Sequence, residues 1–443
     1  MNNIHTYKQL GMNIALDPCS GAVHVVDDET YALLETGKPP FDENTDAGLQ
    51  LNSLIKAGQL FSEDDYQRFA GVTANAPIKA LCLHVAHDCN LRCGYCFAST
   101  GDFGTEKRGL MSKATAKQAI DFLVENSGDR VELECDFFGG EPLMAWNTVT
   151  AAVDHARCLE RTHGKHFRFT ITTNGILLDD DKIDYINENM SNVVLSLDGR
   201  REVHDLMRPT ANNKGSYDVV LPKFKRLVQK RNKLGFTDYY ARGTFTKYNL
   251  DFANDVLAIA DEGFKHISVE PVGCDESEPY AITRADMPLV LAEYDRLLSI
   301  IATRPDINFF HFNIDLDQGP CAVKRLRGCG AGSEYFAVTP EGDVYPCHRF
   351  VGIENHKAGN LTTGVKSAVK EYFGGTHIYS KENCPSCWAR FYCSGGCNAA
   401  SYLFRGDCKK QVDTDCSLMQ KRTECGIALA CKKALSHNDL SKS

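Results

Sequence analysis

The stretch HDCNLRCGYCFAST, residues 87 to 100, holds Cys89, Cys93 and Cys96 in the spacing C-x3-C-x2-C. Thiolates are soft ligands that suit zinc or iron–sulfur clusters. A structural zinc site takes four ligands and needs a fourth Cys or His to close it; His84 and His87 stand nearby. A [4Fe-4S] cluster held by only three cysteines leaves one iron free for a small molecule. Spacing alone leaves both readings open. The chain carries 19 cysteines, and eleven of them fall between Cys321 and Cys431. Core residues would be spread more evenly. In a chain without an export signal such crowding points to metal or cluster ligation rather than disulfides.

Those ligands need a scaffold. From about residue 78 to 305, strand and helix patterns alternate. The strand candidates are ALCLHVA, VELECDFF, FRFTITT, NVVLSLD, ARGTFT and HISVEPV. Between them lie helical patterns such as SKATAKQAIDFLVEN, WNTVTAAVDHARCLER and DFANDVLAIADEG. Short apolar strands alternating with helices indicate an α/β class with a parallel sheet. Six such units can curve into an incomplete barrel, with chemistry on the loops after the strand C-termini. The three-cysteine stretch follows the first of these strands.

Ahead of this region, MNIALD and AVHVV read as a hairpin around PCSG. Asp27 and Asp28 offer an N-cap for ETYALLE, and AGLQLNSLIKAG and SEDDYQRFA read as further helices. GVTANAPIKA reads as a linker. Behind it, from about 306, periodicity weakens, glycine rises and most cysteines collect. Bound metal can supply stability that a thin apolar core does not. The last residues, LSHNDLSKS, read as a frayed tail. The expected division is 1–75, 76–305 and 306–443.

Composition narrows the function classes. With 443 residues, 43% hydrophobic and 24% charged, the chain has the balance of a globular protein of two or three domains. No apolar run is long enough to span a bilayer. The N-terminus lacks a basic segment followed by an apolar core, so a cytoplasmic location is expected. A net charge of -9 and no long basic run disfavour nucleic acid as a partner.

C-x3-C-x2-C after the first strand, with Tyr95 before its last cysteine, resembles the signature of the radical S-adenosylmethionine (radical SAM) superfamily. FFGGEPLM after the second strand, with Gly139, Gly140, Glu141 and Pro142, matches that family's turn around the methionyl amino group. Glycine lets backbone approach a ligand closely. Glu141 is either a helix-start residue or part of that cradle. TTNG, which contains Asn174, ends the third strand. SLDG, with Ser196 and Asp198, ends the fourth, and HDLMRPT holds Arg208. By resemblance, Asn174 belongs to the cofactor cradle, Ser196 contacts ribose and Arg208 pairs with the S-adenosylmethionine carboxylate, as bidentate geometry suits. The alternatives are a strand-end turn and a surface ion pair. VEPVG, with Glu270, ends the sixth strand where the family contacts adenine; Glu270 also reads as a core-edge carboxylate. The resemblance implies that S-adenosylmethionine chelates the uncapped iron and is split to a 5'-deoxyadenosyl radical that takes hydrogen from the substrate. The protein orients and shields this chemistry, with no side chain assigned a catalytic role.

The pattern Cys329-x12-Gly342-x4-Cys347, then Cys384-x2-Cys387-x5-Cys393-x3-Cys397, then Cys416 resembles the SPASM domain of peptide-modifying radical SAM enzymes. By position, the resemblance gives Cys384, Cys387, Cys393 and Cys416 to an outer auxiliary [4Fe-4S] cluster. Cys329, Cys347 and Cys397 go to an inner one. Cys321 lies where some relatives supply a fourth inner ligand. That makes three [4Fe-4S] clusters in all. The alternative for this region is a pair of zinc sites. Cys408, Cys425 and Cys431 fall outside the pattern, and Cys82, Cys135, Cys158 and Cys274 read as small core residues.

The N-terminal hairpin and helices resemble the winged-helix-like RiPP recognition element, which binds a leader peptide as an added strand. NIALDPCSGAVHVVDD followed by barrel and SPASM closely resembles the maturases of the Cys-rich SCIFF peptides. That resemblance implies thioether crosslinks in a ribosomally made precursor peptide, with a flavodoxin or ferredoxin as electron donor. Anaerobic sulfatase maturases carry an aspartate after the cysteine of the G-x4-C segment; here His348 stands there, which weakens that reading. A noncatalytic zinc-binding peptide-recognition protein is the reading from another class.

Overall fold

The computed structural model describes residues 4–71, 76–316 and 321–440. Residues 72–75, in the middle of the expected linker, lie outside this set.

The first element is an antiparallel sheet of β1 (His5–Gln9), β2 (Met12–Leu16) and β3 (Val23–Val26), in that order. Strand β1 was not expected from the sequence; it is half-buried and mostly polar. Asp27 caps α1 (Asp28–Thr36) by accepting from the Thr30 amide at 2.7 Å. Thr45 caps α2 (Asp46–Lys56) in the same way. The third expected helix is a short 3-10 turn, Asp65–Phe69. Strand β1 faces the C-terminal part of the chain. His5 stacks on Trp388 at 3.7 Å and hydrogen-bonds Glu424 at 3.0 Å. Beside it, Asp64 meets Arg390 at 3.2 Å and Tyr379 at 2.6 Å. The outer edge of β3 pairs with no strand among the described residues.

The main sheet is built on β4 (Ala80–His87), with the two-residue β5 (Gly109–Leu110) beside it. It continues through β6 (Glu132–Gly139), β7 (His166–Thr173), β8 (Asn192–Ser196), β9 (Tyr239–Phe245), β10 (His266–Pro271) and β11 (Asn308–Phe309). Strand β4 and β6 to β11 run parallel in the order 4-6-7-8-9-10-11. All six expected strands are present. The helices between them are α3 (Lys113–Asn126), α4 (Trp146–His163), α5 (Asp180–Asn189), α6 (Arg201–Met207), α7 (Tyr217–Lys233) and α8 (Ala253–Asp261), followed by α9 (Met287–Ile301). The sheet is open, not closed: its path ends at β11 on one side.

Side chains alternate across the strands. Leu133, Cys135 and Phe137 of β6 and Phe167, Phe169 and Ile171 of β7 are fully buried in the main core. Their neighbours Glu134, Asp136, Arg168 and Thr170, with Asn192 and Tyr240, line a cavity of about 270 Å³ at the N-terminal end of the strands. The inner face is therefore polar, unlike the uniformly apolar strands of a sheet covered on both sides. Burial and the neighbouring Glu134 push the Asp136 carboxyl up to about 6. This cavity lies at the opposite strand ends from the three-cysteine loop.

The sheet also crosses the expected boundary at 305. Strand β12 (Tyr335–Val338) pairs parallel with β4, and β13 (Asp343–Tyr345), β14 (Gly359–Asn360) and β15 (Gly364–Val365) extend it antiparallel. The remaining helices are α10 (Ala322–Arg327), α11 (Ser367–Gly374), α12 (Arg390–Cys393), α13 (Asn398–Arg405) and α14 (Asp413–Leu440). The expected frayed tail is helical as far as Leu440, because Cys425, Ile427, Ala428, Leu429 and Cys431 bury the apolar side of α14. No helix among the described residues is long and apolar enough to cross a membrane.

Helix α14 is tied to the barrel by charge. Arg422 reaches Glu270 at 3.1 Å and the Tyr294 hydroxyl at 2.8 Å, and His311 lies 3.4 Å from the same carboxylate. Burial opposes ionisation of Glu270, but His311, Arg422 and Arg242 outweigh it and hold the carboxyl at about 2. A carboxyl depressed in the folded state stabilises the fold above its ordinary 4.5 and loses that contribution as pH falls toward about 2. At pH 7, E270Q should melt below the wild type. Thermal unfolding across pH checks this: the gap should close between about 4.5 and 2.

Candidate metal and cofactor site

The three-cysteine loop leaves β4 through a bulge between His84 and Ala86 and is pinned from two sides. Gly140 N–H donates to the Ala86 carbonyl at 2.7 Å, and Glu141 N–H to that of Asp88 at 3.0 Å. A Cβ on Gly140 would stand 2.1 Å from the Asp88 oxygen and 3.0 Å from Gly101 Cα, so only glycine permits this approach. Gly139 has φ +126°, and a Cβ there would meet the Ala86 oxygen at 2.2 Å. On the other side, Arg92 N–H donates to the Pro209 carbonyl at 2.8 Å and Gly94 N–H to Met207 at 2.9 Å. This seats the loop against the residues flanking Arg208.

The three thiols are neighbours that bear on one another's ionisation, though not close enough to grip one ion. Burial lifts Cys93 to about 12 and Cys89 to about 11; neighbouring cysteines add to this, and Arg208 opposes it at Cys93. Metal binding must displace these protons. Cys89 Sγ accepts from the Leu91 amide at 3.4 Å and the Asn174 side chain at 3.6 Å, and Cys96 Sγ accepts from the Thr100 amide at 3.3 Å. N–H donors aimed at sulfur suit thiolate ligands. His84 and His87 turn away from this role: Nδ1 of His84 meets Nε2 of His87 at 3.3 Å, and both pack against Phe103.

Glu141 is the helix-start residue expected, and it also ties the turn to a second strand end. It caps the 3-10 turn Pro142–Ala145, accepting from the Leu143 amide at 3.0 Å. It also accepts from the Thr173 hydroxyl and the Asn174 amide, each at 2.8 Å. Its buried carboxylate thereby locks the GGEP turn to the end of β7. Burial pushes the carboxyl up to about 7, against these three hydrogen bonds. Asn174 reaches onward to Asn90 inside the loop at 2.7 Å.

Arg208 is held by a fully buried partner. Its guanidinium forks onto Asp198 at 2.9 and 3.0 Å. Tyr95 donates its hydroxyl to the same carboxylate at 2.5 Å, and Arg208 lies over the Tyr95 ring at 5.4 Å. The surface-pair alternative is thus corrected: burial of Asp198 and the clamp from Tyr95 make this an internal triad. The SLDG and HDLMRPT segments meet Cys93 through it. Ser196 sits half-buried at the end of β8. Glu270 is engaged by Arg422, a pairing across 152 positions that no local signal foretells.

The C-terminal cysteines also gather. Burial lifts Cys416 to about 12, and the neighbouring Cys393, Cys384 and Cys387 add to this. Cys347, raised to about 12 by burial, feels Cys397 and Cys329. Cys321 is exposed. Among the described residues, no three His, Cys, Asp or Glu side chains are close enough to grip one metal ion. The sets are neighbourhoods of thiols rather than single-ion cages. Next to Cys347, His348 is half-buried, with the Phe97 and Phe138 rings at 5.8 and 5.2 Å. Two of the cysteines read as core are not: Cys158 is exposed on α4 and Cys274 half-buried on the loop after β10. Single apolar-sized residues carry no periodic signal of which helix face they occupy.

The donor sets fit thiolate-bound iron–sulfur clusters: soft ligands, N–H groups aimed at sulfur, and a cation beside Cys93. Residues 83–239 match the family described as the Radical SAM superfamily. An uncharacterized protein of Methanocaldococcus jannaschii is 34% identical over 62% of this chain and 87% of its own length. Radical SAM cyclopropyl synthase TigE of Paramaledivibacter caminithermalis is 24% identical over 79% of this chain and 75% of its own. The fold is similar to that of Streptococcus suis SuiB bound to S-adenosylmethionine, with a TM-score of 0.56 at 16% identity, covering 94% of this chain and 99% of that one. SuiB bound to its precursor peptide SuiA gives 0.52, at the same identity and coverage. The open α/β sheet, the three-cysteine loop at its strand end and these likenesses agree: the chain belongs to the radical SAM superfamily, whose chemistry uses S-adenosylmethionine and a [4Fe-4S] cluster.

Proposed function

We propose that this protein is a peptide maturase that closes thioether bonds, from cysteine sulfur to carbon, within a Cys-rich precursor peptide. The observation that carries the reading is the pair of thiol neighbourhoods beyond the three-cysteine loop, Cys384/Cys387/Cys393/Cys416 and Cys329/Cys347/Cys397. When bound, the clusters and S-adenosylmethionine supply hydrogen-atom abstraction and take up the electron left over.

The chain's own residues hold and orient. Cys89, Cys93 and Cys96 hold the first cluster. Gly139, Gly140, Glu141 and Pro142 shape the cradle for the methionyl amino group, with Asn174 locking it to the loop. Tyr95 and Asp198 hold Arg208 toward the carboxylate end, Ser196 meets ribose, and the strand end at Glu270 borders the adenine. Residues 306–443 carry the auxiliary clusters, although the sheet continues into this region through β11 and β12. Cys321, exposed on the loop before α10, is available as a further inner ligand.

Residues 1–75 bind the leader. The unpaired edge of β3 offers backbone donors and acceptors to an added strand, while β1 is anchored by Trp388 and Glu424. The SuiB structure with a bound precursor peptide supports a peptide substrate. A low-potential flavodoxin or ferredoxin delivers the electron. The test is a mass assay: reduced protein, S-adenosylmethionine and a Cys-rich precursor peptide. Each crosslink should remove two hydrogens from the peptide mass. Release of 5'-deoxyadenosine with an unchanged peptide mass would refute crosslinking.

A further inference from the structure

Lys381 is 3% exposed. Its Nζ donates to the Gly395 carbonyl at 2.6 Å and to Asn398 Oδ1 at 2.9 Å. Both acceptors are neutral. A buried ammonium needs a compensating negative charge, because burying it unpaired is costly. A cysteine that ligates metal does so as a negatively charged thiolate, and the ionisable groups that bear on Lys381 most are the sulfurs of Cys384, Cys393, Cys408 and Cys397. Burial lowers its pKa and those sulfurs oppose the shift. Two of them, Cys384 and Cys393, belong to the outer set, and Cys397 to the inner one. The same ammonium bears on Cys329 of the inner set.

The backbone is shaped for this placement. Cys393 and Cys397 are joined by Ser394, Gly395 and Gly396. Lys381 bonds the middle of that link, and Asn398 lies just past it. A Cβ on Gly395 would come within 3.2 Å of Lys381 Cδ, and Gly395 has φ +84°, so glycine both permits the turn and leaves room for the lysine stem. The lysine thus sits on the one short segment that connects a ligand of each set.

We propose that Lys381 is the shared counter-cation of both auxiliary cluster sites, placed to make their reduction easier. This rests on the cluster reading above. A fixed positive charge beside a cluster stabilises its reduced form, which carries one more negative charge, and so raises its reduction potential. Without thiolate-bound metal the same ammonium is a buried charge next to protonated thiols and is a burden to the fold.

The experiment uses the full chain, reconstituted anaerobically with iron and sulfide, in the wild type, K381M and K381R. Midpoints are read by EPR-monitored redox titration. In K381M both auxiliary midpoints should move to more negative potentials. K381R should stay near the wild type, and the cluster on Cys89, Cys93 and Cys96 should not move in either. Unchanged midpoints in a fully loaded K381M overturn the inference. If K381M does not load the auxiliary sites, thermal unfolding of the metal-free proteins decides. K381M at least as stable as the wild type supports a role tied to bound clusters; a destabilised metal-free K381M shows a structural role and overturns it. A wild type that takes up only about four irons, instead of about twelve for three clusters, removes the cluster reading and this inference with it. A wild type with all clusters whose midpoints ignore residue 381 removes the inference alone.

Discussion

Replacing Cys93 with alanine should abolish 5'-deoxyadenosine release and remove about four of about twelve irons. The size of the effect follows from the loop. Cys93 lies between two backbone anchors, Arg92 to Pro209 and Gly94 to Met207, which hold its backbone against the single segment around Arg208. The nearby His84 and His87 are occupied with each other and with Phe103. Two remaining thiolates cannot hold three irons of a four-iron cluster, and without the cluster S-adenosylmethionine has no electron source. Arg208 would also face Asp198 and Tyr95 without the neighbouring sulfur. The control is C158A: Cys158 is exposed on α4 and belongs to none of the cysteine groups, so this change should leave iron content and nucleoside release unaltered. Iron analysis and chromatography of the nucleoside check both. C93A with full iron and normal release would place the chemistry elsewhere.

The second large effect is expected at the far end of the chain. C416A should lose about four irons and lower crosslinked peptide by at least about a hundredfold, yet still release 5'-deoxyadenosine. The separation arises from geometry. Cys416 stands in the first turns of α14 and feels Cys384, Cys387 and Cys393, none of which touches the three-cysteine loop. Loss of the outer cluster therefore leaves the S-adenosylmethionine cradle built from Gly139, Gly140 and Glu141 intact. Product should fall because crosslinking leaves one electron on the peptide once a hydrogen atom and a proton have gone. Quantifying nucleoside and peptide in the same reaction separates the two activities. Equal crosslinking by C416A and the wild type would mean that the outer set is structural.

Much of the barrel was legible in the sequence because its signals are local. The six strands carried apolar runs, and a cysteine loop or glycine turn sits just past each of the first two. The glycine turn was legible because Gly139 and Gly140 are required by contacts with Ala86 and Asp88 that no side chain tolerates. The cysteine groups were legible through spacing; among the described residues they are neighbourhoods of thiols, with no three side chains close enough to grip one ion. What escaped was non-local. Strand β1 has no apolar alternation to mark it, since its burial depends on Trp388 and α14. The polar inner face of the barrel was hidden because alternating burial and an apolar strand differ only at every second residue. Arg422 meets Glu270 across 152 positions, and Lys381 is one lysine among many until its neighbours are known. Arg208 was legible as a candidate cofactor contact but not as clamped, because Asp198 and Tyr95 reach it from two different loops.

The most direct test of the account is the spectrum of the cluster on Cys89, Cys93 and Cys96. Protein purified and reduced without oxygen, with the auxiliary ligands replaced so that only this cluster remains, would be examined by EPR before and after addition of S-adenosylmethionine. The expected result is a marked change in the signal, because a cluster held only by Cys89, Cys93 and Cys96 would leave one iron free to take up the amino and carboxylate groups. A signal that does not change at saturating S-adenosylmethionine, from a cluster already fully ligated by side chains, would contradict the account at its foundation.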